Sequence, residues 1–124
     1  VLEDLVLGKP RDKEDAAQML RRLKGCEHRV ITGFSLLDPL GRRAHSEAVT
    51  TSVRVKALTE EEIAAYVATD EPFGKAGSYA VQGIGSFLVE TLCGSYSNVV
   101  GLPLCALVKA LIDTKALKEF PFPA

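Results

Sequence analysis

The stretch from Glu71 to Gly85 constrains this chain most. It holds four glycines in fifteen residues, together with Glu71, Lys75 and Gln82, and sustains neither a helical nor a strand period. Glycine loses more backbone freedom on ordering than any other residue, so such a segment reads as a loop rather than the interior of a regular element. Loops of this kind build sites, because bare backbone can approach a ligand closely.

On the amino-terminal side, Val1 to Leu7 reads as a strand or hairpin arm, broken by Gly8-Lys9-Pro10. Asp12 can cap a helix through Lys24, with Asp15 favouring the positive end of the helix dipole. Ala16, Met19, Leu20 and Leu23 share its inner face, and Gly25 is a natural stop. His28 to Leu37 is rich in β-branched and aliphatic residues and reads as a strand ending at Asp38-Pro39-Leu40-Gly41. A second strand spans Ala48 to Leu58, with Thr51, Val53 and Val55 on one face, and the two are placed to pair antiparallel. Thr59-Glu60-Glu61-Glu62 is a capping box, predicting a helix from Glu60 to Thr69 that buries Ile63, Tyr66 and Val67. Beyond the glycine-rich loop, Phe87 to Leu92 reads as a short buried strand and Gly94 to Asn98 as a turn. Leu102 to Leu117 reads as a helix with Pro103 near its start, and Phe120-Pro121-Phe122-Pro123 ends regular structure. This alternation points to a mixed α/β or α+β layer protein, one domain at most at 124 residues.

Composition narrows the function classes. A hydrophobic fraction of 47% and a charged fraction of 25% are those of a globular domain. A formal net charge of -1 gives no reason to expect nucleic acid or an anionic membrane as partner, so any anion must be held by a local cluster of positive groups. Cys26, Cys93 and Cys105 show no metal-ligand spacing and no disulfide framework, which points to a reduced cytoplasmic chain. No apolar stretch reaches the length of a membrane span. Val1-Leu2-Glu3-Asp4 has no signal-peptide character and reads as the interior of a longer sequence.

Two lysines flanked by small or rigid residues are the candidate anion ligands. Lys9 lies in Gly8-Lys9-Pro10 and Lys75 in Gly74-Lys75-Ala76-Gly77, where an ammonium and nearby backbone N–H groups can meet a phosphate together. The commoner use of such lysines is a solvated turn. Neither segment is a P-loop, since Ala76 follows Lys75, and Gly83-Ile84-Gly85 lacks the third glycine of a dinucleotide fingerprint. Glu71 can hold a divalent cation or orient water, or stand as a helix-terminal surface carboxylate. Gln82 carries a donor and an acceptor, so it can read a base edge or be satisfied by backbone. His28 and His45 read as surface or strand residues. Ser95, Ser97 and Asn98 fit a turn or cap better than a nucleophile, having no nucleophile elbow around them.

The ordered set of motifs is more specific than any one. Leu7-Gly8-Lys9-Pro10, then Val30-Ile31-Thr32-Gly33, Glu71-Pro72, Lys75-Ala76-Gly77-Ser78-Tyr79-Ala80-Val81-Gln82-Gly83 and Gly94-Ser95-Tyr96-Ser97-Asn98-Val99-Val100-Gly101-Leu102-Pro103 together resemble the Maf family of nucleotide pyrophosphatases over Val1 to Ile112. The resemblance implies a two-lobed α/β fold like that of inosine triphosphatases, a mixed sheet flanked by helices, here without its first strand and helices. It implies a cleft for a nucleoside triphosphate with Mg²⁺ or Mn²⁺, hydrolysis to monophosphate and pyrophosphate, and a homodimer. Lys9 and Lys75 match the family's phosphate-binding lysines, Thr32 falls in a substrate-binding segment, and Glu71 matches a position suited to the metal. Gln82 matches the base-selecting residue of the branch acting on dTTP and UTP; the branch preferring 7-methyl-GTP carries a different loop there.

Two departures qualify these expectations. The family's proposed catalytic aspartate, in an Ala-Asp-Thr motif, would precede Val1, so these residues alone are expected to be inactive. Many members place Asp before the second lysine, whereas this chain has Gly74. Both departures keep open an alternative: a non-enzymatic Maf-like module that binds nucleotide, or a partner through the apolar Val99 to Leu117 segment.

Overall fold

Asp12 starts the first helix by accepting the Asp15 N–H at 2.8 Å on its side chain, satisfying one of the amides that a helix start leaves unpaired. In the computed structural model, which describes residues 1–121, α1 runs Lys13–Leu23 and buries Ala16, Leu20 and Leu23, with Met19 half-buried beside them. Gly25 follows at φ +67°, the left-handed conformation that glycine enters without steric cost.

β1 (Glu27–Leu37) and β2 (Arg43–Val55) form an antiparallel hairpin, in register from Glu27 opposite Arg54 to Leu36 opposite His45. Asp38 organises its turn by accepting the Leu40 and Arg42 N–H groups at 2.9 and 2.8 Å. β2 starts at Arg43 rather than Ala48 and ends at Val55 rather than Leu58. The polar run Arg43 to Glu47 has little strand character of its own, and β1 recruits it by supplying ladder partners. Thr51, Val53 and Val55 share the buried face that their alternation predicts.

α2 (Glu60–Val67) opens on the predicted capping box. The Glu62 N–H donates to the Thr59 hydroxyl at 3.1 Å, and the Glu62 carboxylate accepts the Thr59 N–H at 3.0 Å. The helix stops short of Thr69, whose hydroxyl donates to the Tyr66 carbonyl at 2.6 Å before Asp70 turns to φ +63°. α2 packs on α1, and the core gathers Leu20 and Leu23, Ile63, Tyr66 and Val67, Val53 and Val55, with Leu58 and Leu88. Each aliphatic side chain here contributes roughly 1.5–3 kcal/mol on burial.

β3 (Val89–Cys93) pairs antiparallel with only the inner end of β2, from Ser52 opposite Cys93 to Val55 opposite Val89, giving the sheet order β1-β2-β3. It begins later than the expected Phe87 because Gly83–Leu88 winds into 3-10 turns, and its residues are exposed or half-buried rather than buried. The turn expected over Gly94 to Asn98 is instead the start of a short helix, α3 (Tyr96–Val100), capped by Ser95, whose hydroxyl accepts the Asn98 N–H at 3.1 Å. α4 spans Leu104–Asp113 and ends before Leu117, where the Thr114 hydroxyl donates to the Ala110 carbonyl at 2.8 Å and Lys115 turns to φ +63°.

Val1 to Leu7 does not form a strand; Leu2 and Leu5 make an isolated bridge, and Val1 exchanges two backbone hydrogen bonds with Arg29 of β1 at 2.6 and 2.8 Å. Of the expected terminal tail, Phe120 and Pro121 carry neither helix nor strand, while Phe122 and Pro123 lie outside the described residues. The architecture is mixed α/β, an antiparallel three-stranded sheet with helices, consistent with the fold the resemblance implies. No helix of the described residues is long and apolar enough to cross a membrane.

Candidate active site

The glycine-rich loop leaves α2 and crosses to the sheet, and between it and β1 lies a cleft of about 510 Å³. Its walls come from three segments remote in sequence: Val6 and Leu7, the His28 to Thr32 part of β1, and Gly74 to Gln82 of the loop. Residues at the end of α3 close the remaining side. Among the residues singled out from sequence, Thr32, Lys75 and Gln82 line the cleft; Lys9 and Glu71 do not.

The loop reaches this position through backbone that only a special sequence tolerates. Gly77 and Ser78 are both left-handed, at φ +80° and +69°, and Ser78 stays there because it is fully buried with its hydroxyl donating to the Met19 sulfur at 3.1 Å. The Gly77 N–H donates to the Gly8 carbonyl at 3.1 Å. That bond, with the packing of α1 on the Ala76 to Ser78 turn, holds the Gly8-Lys9-Pro10 segment beside Gly74-Lys75-Ala76-Gly77, so two motifs more than sixty residues apart become neighbours. Lys9 is exposed next to the cleft wall at Leu7, and makes no hydrogen bond or ion pair among the described residues. Lys75 is half-buried and donates through Nζ to the Glu71 carbonyl at 2.9 Å. Gln82 is exposed, with an amide free of partners among the described residues. Gly74 lines the cleft at φ +80°, with open space where a side chain would stand.

Several residues that sequence reasoning missed shape the same cavity. His28 is 5% exposed, and its Nε2 lies 2.7 Å from the Tyr79 hydroxyl. Burial, with the Val1 ammonium second, pushes the imidazole down to about 4, so it is neutral at physiological pH. Burial likewise pushes the Tyr79 hydroxyl up. Asn98 donates through Nδ2 to the Val30 and Val49 carbonyls at 3.1 and 3.0 Å. Among the described residues, the buried side-chain polar atoms without a hydrogen-bond partner are His28 Nδ1 and Asn98 Oδ1, both on cleft-lining residues. No local signal marks either, since each takes its role from a neighbour distant in sequence.

Glu71 sits elsewhere. Its carboxylate accepts the Tyr66 hydroxyl and the Ile84 and Gly85 N–H groups rather than facing the cleft. No group of three His, Cys, Asp or Glu side chains that could hold a metal ion occurs among the described residues, and none of the cleft-lining residues is a carboxylate. These residues therefore do not fit a metal centre built by protein ligands. They offer a neutral-to-cationic wall suited to an anion that brings its own counter-charge.

A family model described as Maf-like protein matches residues 1–114. The chain is 52% identical over 120 residues to a dTTP/UTP pyrophosphatase of Syntrophotalea carbinolica, covering 97% of this chain and 54% of that protein. It is 50% identical over 111 residues to a dTTP/UTP pyrophosphatase of Geotalea uraniireducens, covering 90% and 57%. A third protein of that name, from Ruminiclostridium cellulolyticum, is 51% identical over 120 residues, covering 95% and 62%. The chain thus spans little more than half the length of these relatives. With that match across nearly all of its residues, the chain belongs to the Maf-like protein family.

Proposed function

We propose that this chain forms the substrate-gripping part of a nucleoside triphosphate pyrophosphatase acting on dTTP and UTP. The observation that carries this reading is the single cleft wall on which Lys75 and Gln82 stand, with Lys9 brought alongside by the bond between Gly77 and Gly8. Lys75 and Lys9 hold the phosphate chain. Their charge stabilises the negative charge that grows as water attacks the α-phosphorus and pyrophosphate leaves. Gln82 can accept from N3–H and donate to O4 of thymine or uracil, a pattern that cytosine reverses. Thr32, on the facing β1 wall, contributes a hydroxyl to the nucleotide. Substrate brings its divalent cation, Mg²⁺ or Mn²⁺, as the complex.

Water needs a group to take its proton, and none of the described carboxylates lines the cleft. His28, the imidazole on the cleft, is pushed down to about 4 by burial and is a weak base. The general base is therefore assigned to a part of the polypeptide other than these residues, and the 124 residues alone are expected to turn over nothing. The same observation favours the second reading, a module that binds nucleotide without hydrolysing it. Pyrophosphate release by the full natural chain from dTTP, UTP, CTP and 7-methyl-GTP separates the two. The enzyme reading expects turnover of dTTP and UTP, with kcat/KM for UTP reduced by roughly tenfold or more in Gln82→Ala. Nucleotide binding with no pyrophosphate from any substrate supports the module.

A further inference from the structure

Glu71 closes a loop onto itself. It stands where the chain leaves α2, yet its carboxylate spans to the far end of the glycine-rich segment. Oε1 accepts the Tyr66 hydroxyl and the Gly85 N–H, each at 2.7 Å, and Oε2 accepts the Ile84 N–H at 3.1 Å. The Tyr66 hydroxyl in turn accepts the Ala80 N–H at 3.1 Å, and the Glu71 carbonyl accepts Lys75 Nζ at 2.9 Å. One residue and its tyrosine partner thus tie the start, the middle and the end of the segment that carries Lys75 and Gln82.

The glycines fit this arrangement. Gly83 lies at φ +70°, and a Cβ there would stand 2.8 Å from Glu71 Oε2. At Gly85 a Cβ would overlap the Ala80 carbonyl and stand 2.5 Å from the Tyr66 hydroxyl and 2.9 Å from Glu71 Oε1. Gly83-Ile84-Gly85 is therefore a seat for a carboxylate of this chain, which accounts for a motif that failed as a dinucleotide fingerprint. Burial pushes the Glu71 carboxyl up, but the Tyr66 hydroxyl, the Gly85 and Ile84 N–H groups and Lys75 outweigh it, and the net direction is down. The group is ionised at neutral pH, and bonds to an ionised acceptor are the strong ones. Tyr66 is anchored from the other side, its ring buried in the core against Phe87.

We propose that Glu71 and Tyr66 form a latch that fixes the separation of Lys75 from Gln82, which makes Glu71 a positioning residue for nucleotide selection and not a metal ligand. This rests on the pyrophosphatase reading above. The phosphate grip and the base reader lie on one loop, and they measure the nucleotide between them only while that loop is held at both ends. Displacing such a group by about 1 Å can cost on the order of a hundredfold in rate.

The test uses Glu71→Gln, Tyr66→Phe and the double variant in the full natural chain. Gln keeps one acceptor but turns an NH₂ towards a backbone N–H; Phe keeps the core ring and removes only the hydroxyl. The latch predicts that each single variant raises KM and compresses the preference for UTP over CTP by roughly tenfold. It predicts that the double variant is little worse than the worse single, and that the Mg²⁺ or Mn²⁺ concentration for half-maximal rate stays unchanged. A raised metal requirement in Glu71→Gln with Tyr66→Phe silent would overturn the latch in favour of a metal ligand. Equal losses on every nucleotide with preserved selectivity would overturn it in favour of a merely structural carboxylate. Amide hydrogen exchange tests the latch without turnover: Ala80, Ile84 and Gly85 are slow in the parent and fast in Glu71→Gln. Unchanged exchange in the variant would refute the latch and leave the pyrophosphatase reading standing.

Discussion

Asn98 shows how much one side chain carries when its partners are backbone. Its amide donates to the Val30 and Val49 carbonyls, one on each strand of the hairpin, and lies 3.0 Å from the Thr51 hydroxyl. α3 is thereby fastened to the sheet with 1% of Asn98 exposed. Removing a buried donor strands its acceptors, so Asn98→Ala is expected to lose about 2–3 kcal/mol in a urea unfolding curve. Asn98→Asp is expected to cost at least as much, because an acceptor would then face two carbonyls. From sequence, Asn98 is a turn or cap residue; its backbone N–H indeed meets the Ser95 cap, but the amide's work depends on strands fifty and seventy positions away, which local pattern does not encode.

At the scale of elements, local chemistry and tertiary packing divide the boundaries between them. α2 begins where its capping box says it must, and Thr59→Ala is expected to lose about 1 kcal/mol, read as a lowered denaturation midpoint with unchanged steepness. The starts of α1 and α2 are legible because a cap is a contact between residues three apart. Strand limits are less so. β2 extends back to Arg43 only because β1 lies opposite, and β3 starts at Val89 because the loop before it is wound by Glu71 and the glycines. The α3 helix hides within a run of Gly, Ser and Asn that reads as a turn, since five helical residues hold too little period to register.

Across the whole molecule, the cleft exists only because four remote segments converge, and its occupant should stabilise them together. A ligand bound to the folded state at a hundred times its dissociation constant adds about 2.7 kcal/mol. On the pyrophosphatase reading, dTTP is therefore expected to raise the melting temperature of the full natural chain by roughly 5–10 °C. Lys75→Ala should lose most of that shift, whereas Thr59→Ala, remote from the cleft, should lower the melting temperature yet keep the shift. A shift of equal size in Lys75→Ala would remove Lys75 from the phosphate site.

The α/β class, the hairpin, the capped starts of α1 and α2 and the inner faces of α1, β2 and α2 were determined by the sequence itself. Each rests on residues within a few positions of one another, where periodicity and capping act directly. Lys75, Gln82 and Thr32 were legible as candidates through their ordered motifs, and the fold sets them on one cleft. Tertiary structure alone decided that Lys9 stands beside that cleft rather than in its wall, that His28 and Asn98 line it, and that Glu71 turns towards Tyr66, Ile84 and Gly85. A side chain's type states which bonds it can make; which ones it does make depends on groups that only folding brings within 3 Å.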